Sequence, residues 1–446
     1  MNECTNPARL AMDARVPERW LILTQYYPPE IGAPQIRLRC LVRELQRHGK
    51  QISVLTAMPN YPLGRIFDGY RARFSCREQI DGVDVRRTWV YAATGRAARA
   101  RLLNYCSFAL TALAVLLFAR RPDVLFVEAQ PLPLGIVALF MKYVRGVPYI
   151  YNVPDLQVDV AREMGFLRKR LLLRFAEAAE NLFLKKAWNV STVTHHFIEH
   201  FESRGVPVDR ITFLPNGADT EFLQPREPNS EYLADWQLHG KKAFVYVGTH
   251  AYYHGLDTVI AAAEMLKTDP EIKIVMIGDG PERERIRGLA HAKNLDNIVF
   301  ARVPYERTDQ LYSVAYAALA TLRDVPVAKG MRLSKVFPAL SCGVPVIYSG
   351  EGEAADLLAF HNCGVTAPPE DAAALARAMR FLARNPRVRQ KLGTNGRRLV
   401  ETDYSWATIV ERWFREIAKP ETSASSAIED AKPAHAPAPQ VELGSP

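Results

Sequence analysis

Phe244-Val-Tyr-Val-Gly-Thr-His-Ala-Tyr-Tyr-His-Gly255 decides the fold. Four apolar residues read as a buried strand, Gly248 opens a turn at its end, and an amphipathic helix is expected over residues 257–267. The same unit returns along the chain. A strand at 272–278 runs into Ile277-Gly-Asp-Gly-Pro-Glu-Arg283 with a helix over 282–293. A strand at 297–300 precedes Arg302-Val-Pro-Tyr305, and further strands are expected at 317–321 and 345–348. Strands that alternate with helices call for a mainly parallel, doubly wound sheet.

Upstream of the polar, proline-containing stretch 224–229 the pattern occurs a second time, with strands expected at 20–24, 51–56, 124–128, 149–152, 189–194 and 211–214. The expectation is therefore an α/β chain of two doubly wound, Rossmann-like domains facing a central cleft. They would be an N-terminal domain over 20–225 and a C-terminal domain over 226–403. A poorly ordered leader would occupy 1–19. The segment 420–446, rich in Ala, Pro and Ser, is too poor in core formers to pack and is expected to be disordered.

The composition agrees with two globular domains. The chain has 446 residues, 48% hydrophobic and 24% charged, which excludes wholesale disorder and a scaffold held by disulfides. Cys4, Cys40, Cys76, Cys106, Cys342 and Cys363 are scattered, with no C-x-x-C pair, so a reducing compartment and no structural metal are expected. Charges within the first twenty residues interrupt any apolar run, and a secretory signal is not expected. The net charge of +9 is one-sided: residues 1–228 carry 31 Lys and Arg against 22 Asp and Glu, and the remainder carries 26 of each. A basic N-terminal half suits a polyanionic partner, namely nucleic acid, an anionic membrane face or a pyrophosphate-bearing substrate. Nucleic acid is disfavoured, because the basic residues are not interleaved with stacking aromatics.

Residues 102–118 hold no charge and lie between Arg96, Arg99 and Arg101 on one side and Arg120 and Arg121 on the other. As a helix they would measure about 25 Å, short of a bilayer's ~30 Å core. Two readings stay open: a buried crossover helix, or a helix lying in the membrane interface with arginines at the headgroups. The two coexist if one face is core and the other lipid.

Most of the glycine-bearing turns fall at the C-terminal ends of strands, the edge where open α/β sheets bind ligands. With Lys329-Gly-Met-Arg-Leu-Ser-Lys335 they suit a nucleoside diphosphate. Their order, Pro215-Asn-Gly-Ala-Asp219, Gly248-Thr-His, Ile277-Gly-Asp-Gly-Pro, Leu333-Ser-Lys-Val-Phe337 and Cys342-Gly-Val-Pro-Val-Ile347, resembles the retaining family 4 glycosyltransferases of GT-B fold. Gln25-Tyr-Tyr-Pro-Pro-Glu and Met58-Pro-Asn-Tyr-Pro62 make it similar to the subgroup that builds bacterial cell-surface polysaccharide, including lipopolysaccharide O-antigen and exopolysaccharide, on lipid carriers. The resemblance spans roughly residues 20–418 and ends on a helix, 404–418, that returns to the first domain.

The resemblance implies a metal-independent transfer from a UDP- or GDP-linked sugar, with no further cofactor. The acceptor would be a polyprenyl pyrophosphate-linked saccharide, met by a protein that lies peripherally on the inner face of the plasma membrane. Gly248, Thr249, His250, His254 and Gly278 would lie near the donor diphosphate, Arg332 and Lys335 would neutralise its charge, and Val303 would meet the base. Gly352 and Glu353 would approach the phosphates or sugar, with Asp356 where many relatives carry an acid. In the first domain Asp155 is the polar candidate nearest the reacting centre, and Glu30, Gly32 and Arg37 would hold the acceptor. His195 and His196 follow a strand and read as ordinary surface or core histidines.

Two departures from the family pattern matter. Its E-x(7)-E glutamates fall on Gly330 and Pro338, and a lysine of the phosphate loop is replaced by His254. The lost glutamates keep two alternatives open, a catalytically impaired nucleotide-sugar-binding partner of another transferase and a GT-B sugar epimerase.

Overall fold

A computed structural model describes residues 16–418, apart from 31, 62, 93–97, 164–168 and 332. The expected tail, nearly all of the leader and Arg332 lie outside the described residues. The chain divides into two units, one running to Pro215 and resuming at Ile409, the other formed by Asn216–Thr408. The change of unit falls ahead of the 225/226 boundary read from the sequence. Residues after Pro215 are already held by the second unit: Ala218 N donates to Tyr404 O, and Leu223 O accepts from Ser341 Oγ and Arg397. Residues 16–19, read as leader, are bonded into the first unit, with Lys50 Nζ on Val16 O at 3.0 Å and Trp20 Nε1 on Pro17 O at 2.7 Å.

The first unit is built on β1 (Arg19–Leu23), β2 (Gln51–Ala57), β3 (Ser75–Ile80), β4 (Val83–Thr88), β5 (Val124–Glu128), β6 (Tyr149–Val153), β7 (Asn189–Thr192) and β8 (Ile211–Phe213). They form one sheet in the order β3-β4-β2-β1-β5-β6-β7-β8. Every pair is parallel except β3 with β4. β5, β6 and β7 are buried at every residue, as strands covered on both faces must be. The β3–β4 hairpin was not expected. Its residues alternate in exposure, and Asp81 and Gly82, both at positive φ, supply the two-residue turn that pairs Ile80 with Val83.

The helices of this unit are α1 (Ala33–Arg47), α2 (Ala98–Phe118), α3 (Leu134–Arg145), α4 (Gln157–Glu163), α5 (Arg170–Lys186) and α6 (His195–Ser203). α2 carries the uncharged stretch but has 21 residues, about 31 Å at ~1.5 Å each, so length alone no longer argues against spanning a bilayer. Its packing does. α2 connects β4 to β5, with Phe108, Ala112 and Leu116 in the core and Asn104 and Thr111 hydrogen-bonded beneath it. Leu103, Leu110 and Leu117 point the other way and are exposed. One face of α2 is thus core, as the crossover reading expects, and the opposite face is exposed.

The helix Trp406–Ile417 closes this unit. Trp413 is fully buried, its ring 5.7 Å from Trp20 and 5.9 Å from Phe126, and its Nε1 is 3.0 Å from both Ser191 Oγ and Thr212 Oγ1. Glu416 accepts from the backbone amide of Phe213, on the edge strand β8, at 2.8 Å.

The second unit holds β9 (Lys242–Val247), β10 (Ile272–Ile277), β11 (Ile298–Ala301), β12 (Ala317–Thr321), β13 (Val346–Ser349) and β14 (Gly364–Ala367), all parallel in the order β11-β10-β9-β12-β13-β14. Alternate residues of one strand enter opposite core layers, Phe244 and Tyr246 on one side and Ala243 and Val245 on the other. β14 is short and includes glycine, and the sequence reading passed over it. The helices that matter for the site are α7 (Leu256–Met265), α8 (Arg283–Ala292), α9 (Val336–Ser341) and α10 (Glu353–Phe360).

Trp413→Ala removes the largest side chain that joins Trp406–Ile417 to the first sheet, and is expected to destabilise this unit by about 3–5 kcal/mol. Urea unfolding followed by tryptophan fluorescence checks this; a loss below about 1 kcal/mol would show that the helix is not part of that core.

Candidate functional site

Beyond the ends of β9 and β10 the chain continues as two loops bonded to each other. Gly248 N donates to Ile277 O, His250 N to Asp279 O and Glu282 N to His250 O. The approach is so close that a Cβ on Gly278 would overlap the carbonyl oxygen of Gly248, and one on Gly280 would run into His250 O. Both glycines also lie at positive φ, at 136° and 151°. Glycine is required here by contact as well as by conformation.

Lys335, the last residue before α9, lays its ammonium against this loop pair. Nζ donates to Tyr246 Oη at 2.8 Å, and Tyr246 Oη donates onward to Thr249 O at 2.8 Å. Nζ also stands 4.1 Å from the Tyr246 ring centroid. No carboxylate is bonded to it among the described residues, and burial pushes its pKa down to about 7. Pro338 sits in the first turn of α9, where the missing N–H leaves no orphan, so the helix starts directly after Lys335.

His250 is fully buried with both ring nitrogens unpartnered among the described residues, and burial, with Arg283 and Lys335 nearby, lowers its pKa to about 4. His254 is also buried, and burial followed by the charge of Lys335 holds it well below its usual value. Both imidazoles are neutral near pH 7, so His254 does not restore the charge of the lysine it replaces. Gly352, at φ 84°, starts α10 with its Cα against Lys329 O, again leaving no room for a Cβ. Glu353 lies in the first turn of α10 and Asp356 is exposed there, and Val303 is half-buried against the core after β11.

One residue escaped the sequence reading. Arg283, the first residue of α8, is buried, with Nε and Nη1 unpartnered among the described residues, and its charge reaches His250. Its charge also acts on the nearby Asp279 carboxylate, and the two unbonded guanidinium nitrogens leave donors for a further polar group. Its only sequence signal is its position three residues after Gly280.

In the first unit the candidates gather at the C-terminal edge of the sheet. Arg37 of α1 donates to Glu128 Oε1 at 3.1 Å, Asn152 Oδ1 at 3.1 Å and Leu214 O at 3.2 Å, and Asn152 Nδ2 donates to Glu128 Oε1 at 2.8 Å. Its guanidinium is spent joining the ends of β5, β6 and β8. Asp155, just past β6, is exposed and accepts from Gln130 Nε2 at 3.2 Å. Glu30 is buried, takes the Asn60 and Tyr61 amides at 2.7 Å each, and is raised by burial to about 7. Gly32 caps α1 in extended backbone, and His195 stacks on Phe213 at 4.4 Å.

Two parallel, doubly wound units, one with paired glycine loops and a lysine at its ligand edge, define the GT-B architecture, and solved structures agree. A sucrose-phosphate synthase from Thermosynechococcus elongatus superimposes with a TM-score of 0.69 at 20% identity, covering 88% of this chain and 96% of that one. Anabaena Alr3699/HepE, solved with UDP and glucose, gives 0.67 at 14% identity, covering 90% and 100%. In sequence, the family models "Glycosyl transferase 4-like domain" and "Glycosyl transferases group 1" match residues 32–217 and 230–399. A 2-deoxystreptamine N-acetyl-D-glucosaminyltransferase of Streptomyces fradiae is 28% identical over 78% of this chain and 82% of its own length. An O-antigen chain mannosyltransferase C of Escherichia coli is 22% identical over 58% and 68%. WcaI of Escherichia coli K12, named as a colanic acid biosynthesis glycosyl transferase, is 26% identical over 61% and 69%. The chain belongs to the family 4 type of glycosyltransferases.

Because Lys335 titrates near 7, nucleoside diphosphate affinity is expected to fall as pH rises from about 7 to 9, where the ammonium is lost while the phosphates stay ionised. His250 and His254 are neutral throughout that range and contribute no slope. Calorimetric titration of UDP and GDP across this range checks the slope; Lys335→Met should flatten it, and an unchanged slope in that variant would assign the titration elsewhere.

Proposed function

We propose that this glycosyltransferase moves a sugar, with retention and without a metal, from a UDP- or GDP-linked donor to a polyprenyl pyrophosphate-linked saccharide in surface polysaccharide biosynthesis. It would work as a peripheral protein on the anionic inner face of the plasma membrane. The observation that carries the donor half is the Lys335–Tyr246–Thr249 chain laid along the Gly248/Gly278 loop pair. The names of the O-antigen and colanic acid relatives favour the polysaccharide setting, and the basic surplus of residues 1–228 favours a pyrophosphate-bearing acceptor.

In the proposed reaction the bond from the sugar's anomeric carbon to the β-phosphate oxygen breaks, and a bond from that carbon to the acceptor hydroxyl oxygen forms on the same face. The hydroxyl proton passes to the departing phosphate. The protein's task is to stabilise the negative charge that develops on the leaving nucleotide. Lys335, bonded to Tyr246 beside the glycine loops, is proposed to supply this charge, and a site of low dielectric would strengthen its effect. Arg332 is proposed as its partner, and the buried guanidinium of Arg283 adds positive potential next to His250. Asp155, exposed just past β6 and bonded by Gln130, is proposed to orient the acceptor rather than to act as a strong base.

The purified protein, assayed with a panel of UDP- and GDP-sugars and an extracted lipid-linked saccharide, should bind one donor and transfer its sugar. Lys335→Ala should lower kcat/KM by about 100-fold or more, the scale of losing one charge-stabilising group. Binding without transfer to any acceptor would favour the impaired partner, and conversion of the donor sugar without acceptor would favour the epimerase. No binding at millimolar concentration would overturn the enzyme reading.

A further inference from the structure

More than half of the exposed large apolar side chains among the described residues stand on three helices of the first unit, α2, α3 and α5. On each the exposed positions recur at a spacing of seven, two helical turns: Leu103, Leu110 and Leu117 on α2, Ile136 and Tyr143 on α3, Phe175 and Leu182 on α5. Each helix thus presents one apolar stripe outward while another face enters the core.

The three helices pack in a row, α2 against α3 and α3 against α5. α3 lies so close to α5 that a Cβ on Gly135 would enter the Phe183 ring. Their C-termini are tied together by basic side chains: Arg145 of α3 donates to Leu117 O and Ala119 O at the end of α2, and Lys142 donates to Lys186 O at the end of α5. The stripes therefore belong to one continuous surface. Scattered exposed leucines would need no explanation, but an apolar face built by three helices does.

Charge identifies what covers it. α2 and α3 contain no acidic residue, and their cations stand at the helix ends. α5 has Arg170 and Arg174 in its first turns and Lys185 and Lys186 in its last, while its two acids are taken, Glu177 by Arg162 and Glu180 by Arg204. An apolar field with cations at the helix ends that no carboxylate pairs among the described residues complements a bilayer surface with anionic headgroups, and it repels a second copy of itself.

We infer that α2, α3 and α5 together form a bilayer-docking face for anionic lipid. The inference rests on the proposed membrane-borne acceptor and extends contact from the uncharged stretch to a surface of three helices. Leu110, Tyr143 and Phe175 are 67%, 63% and 73% exposed, so a glutamate at each leaves the core intact.

Full-length protein should float with vesicles of phosphatidylethanolamine and phosphatidylglycerol and not with vesicles of phosphatidylcholine alone. Leu110→Glu, Tyr143→Glu and Phe175→Glu should each lower vesicle affinity by about tenfold or more, with unchanged melting and unchanged nucleoside diphosphate binding. Should one of them melt early, Lys185→Glu with Lys186→Glu, on exposed side chains, gives the independent reading: weaker flotation and a shallower salt dependence. Wild-type flotation by the α3 and α5 variants would confine contact to α2 and overturn the three-helix face. Equal binding to neutral vesicles, or a dimer in lipid-free solution that Phe175→Glu dissociates, would also overturn it. Loss of flotation with intact nucleotide binding separates this face from the donor site.

Discussion

The contact on which the second unit's chemistry depends has no side chain in it. The carbonyl of Gly248 and the α-carbon of Gly278 stand where any Cβ would collide, and three backbone hydrogen bonds carry the β9 and β10 loops on together past the sheet. This puts the peptide groups of 248–250 within reach of Lys335, which fastens them through the hydroxyl of Tyr246. Tyr246 is itself a core residue of β9, so the hydrophobic layer fixes the phenol, the phenol fixes the ammonium, and the ammonium faces a loop with no bulk in the way. Pre-organisation of this kind would supply charge stabilisation without rearrangement in the proposed reaction.

The first unit solves a different problem. Arg37 is a buried cation whose charge is met by Glu128 and whose Nη1 and Nη2 bond Glu128, Asn152 and Leu214 O, while Nε is unbonded among the described residues, so three strand ends are held at one level. Removing one partner from such a network is worse than never having built it, because a desolvated charge is left behind. The basic surplus of this half is on the surface instead. It lies along helices whose inner faces are core and whose outer faces are apolar, which is why α2 reads from sequence as both a buried and an interfacial helix.

Legibility followed how strongly burial constrained each residue. The parallel strands covered on both faces were visible as apolar runs, whereas β14, short and opening on a glycine, was not. The β3–β4 hairpin was not, because Ser75–Ile80 and Val83–Thr88 are rich in charge, although Asp81-Gly82 is the turn signal that would have located it. The glycine loops were legible from their place at strand ends, and Lys335 was singled out by the family resemblance of Leu333-Ser-Lys-Val-Phe337. Arg283 was missed because nothing in Gly-Pro-Glu-Arg shows that a surface-type residue is buried with two of its donors unbonded among the described residues. Arg37 was read as a ligand contact, since the linear sequence does not reveal that Glu128 and Asn152 converge on it. The ends of the second unit's chain, Asn216–Leu223, read as part of the first because their bonds run to residues more than a hundred positions away.

The most direct measurement is nucleoside diphosphate binding by Gly278→Ala, with the melting of the second unit followed in parallel. The account predicts that one added methyl parts the two loops, leaving a folded protein that binds UDP and GDP at least about 30-fold more weakly, roughly 2 kcal/mol. Binding within about twofold of wild type would contradict it, because the loop pair would then be a connection and not the site.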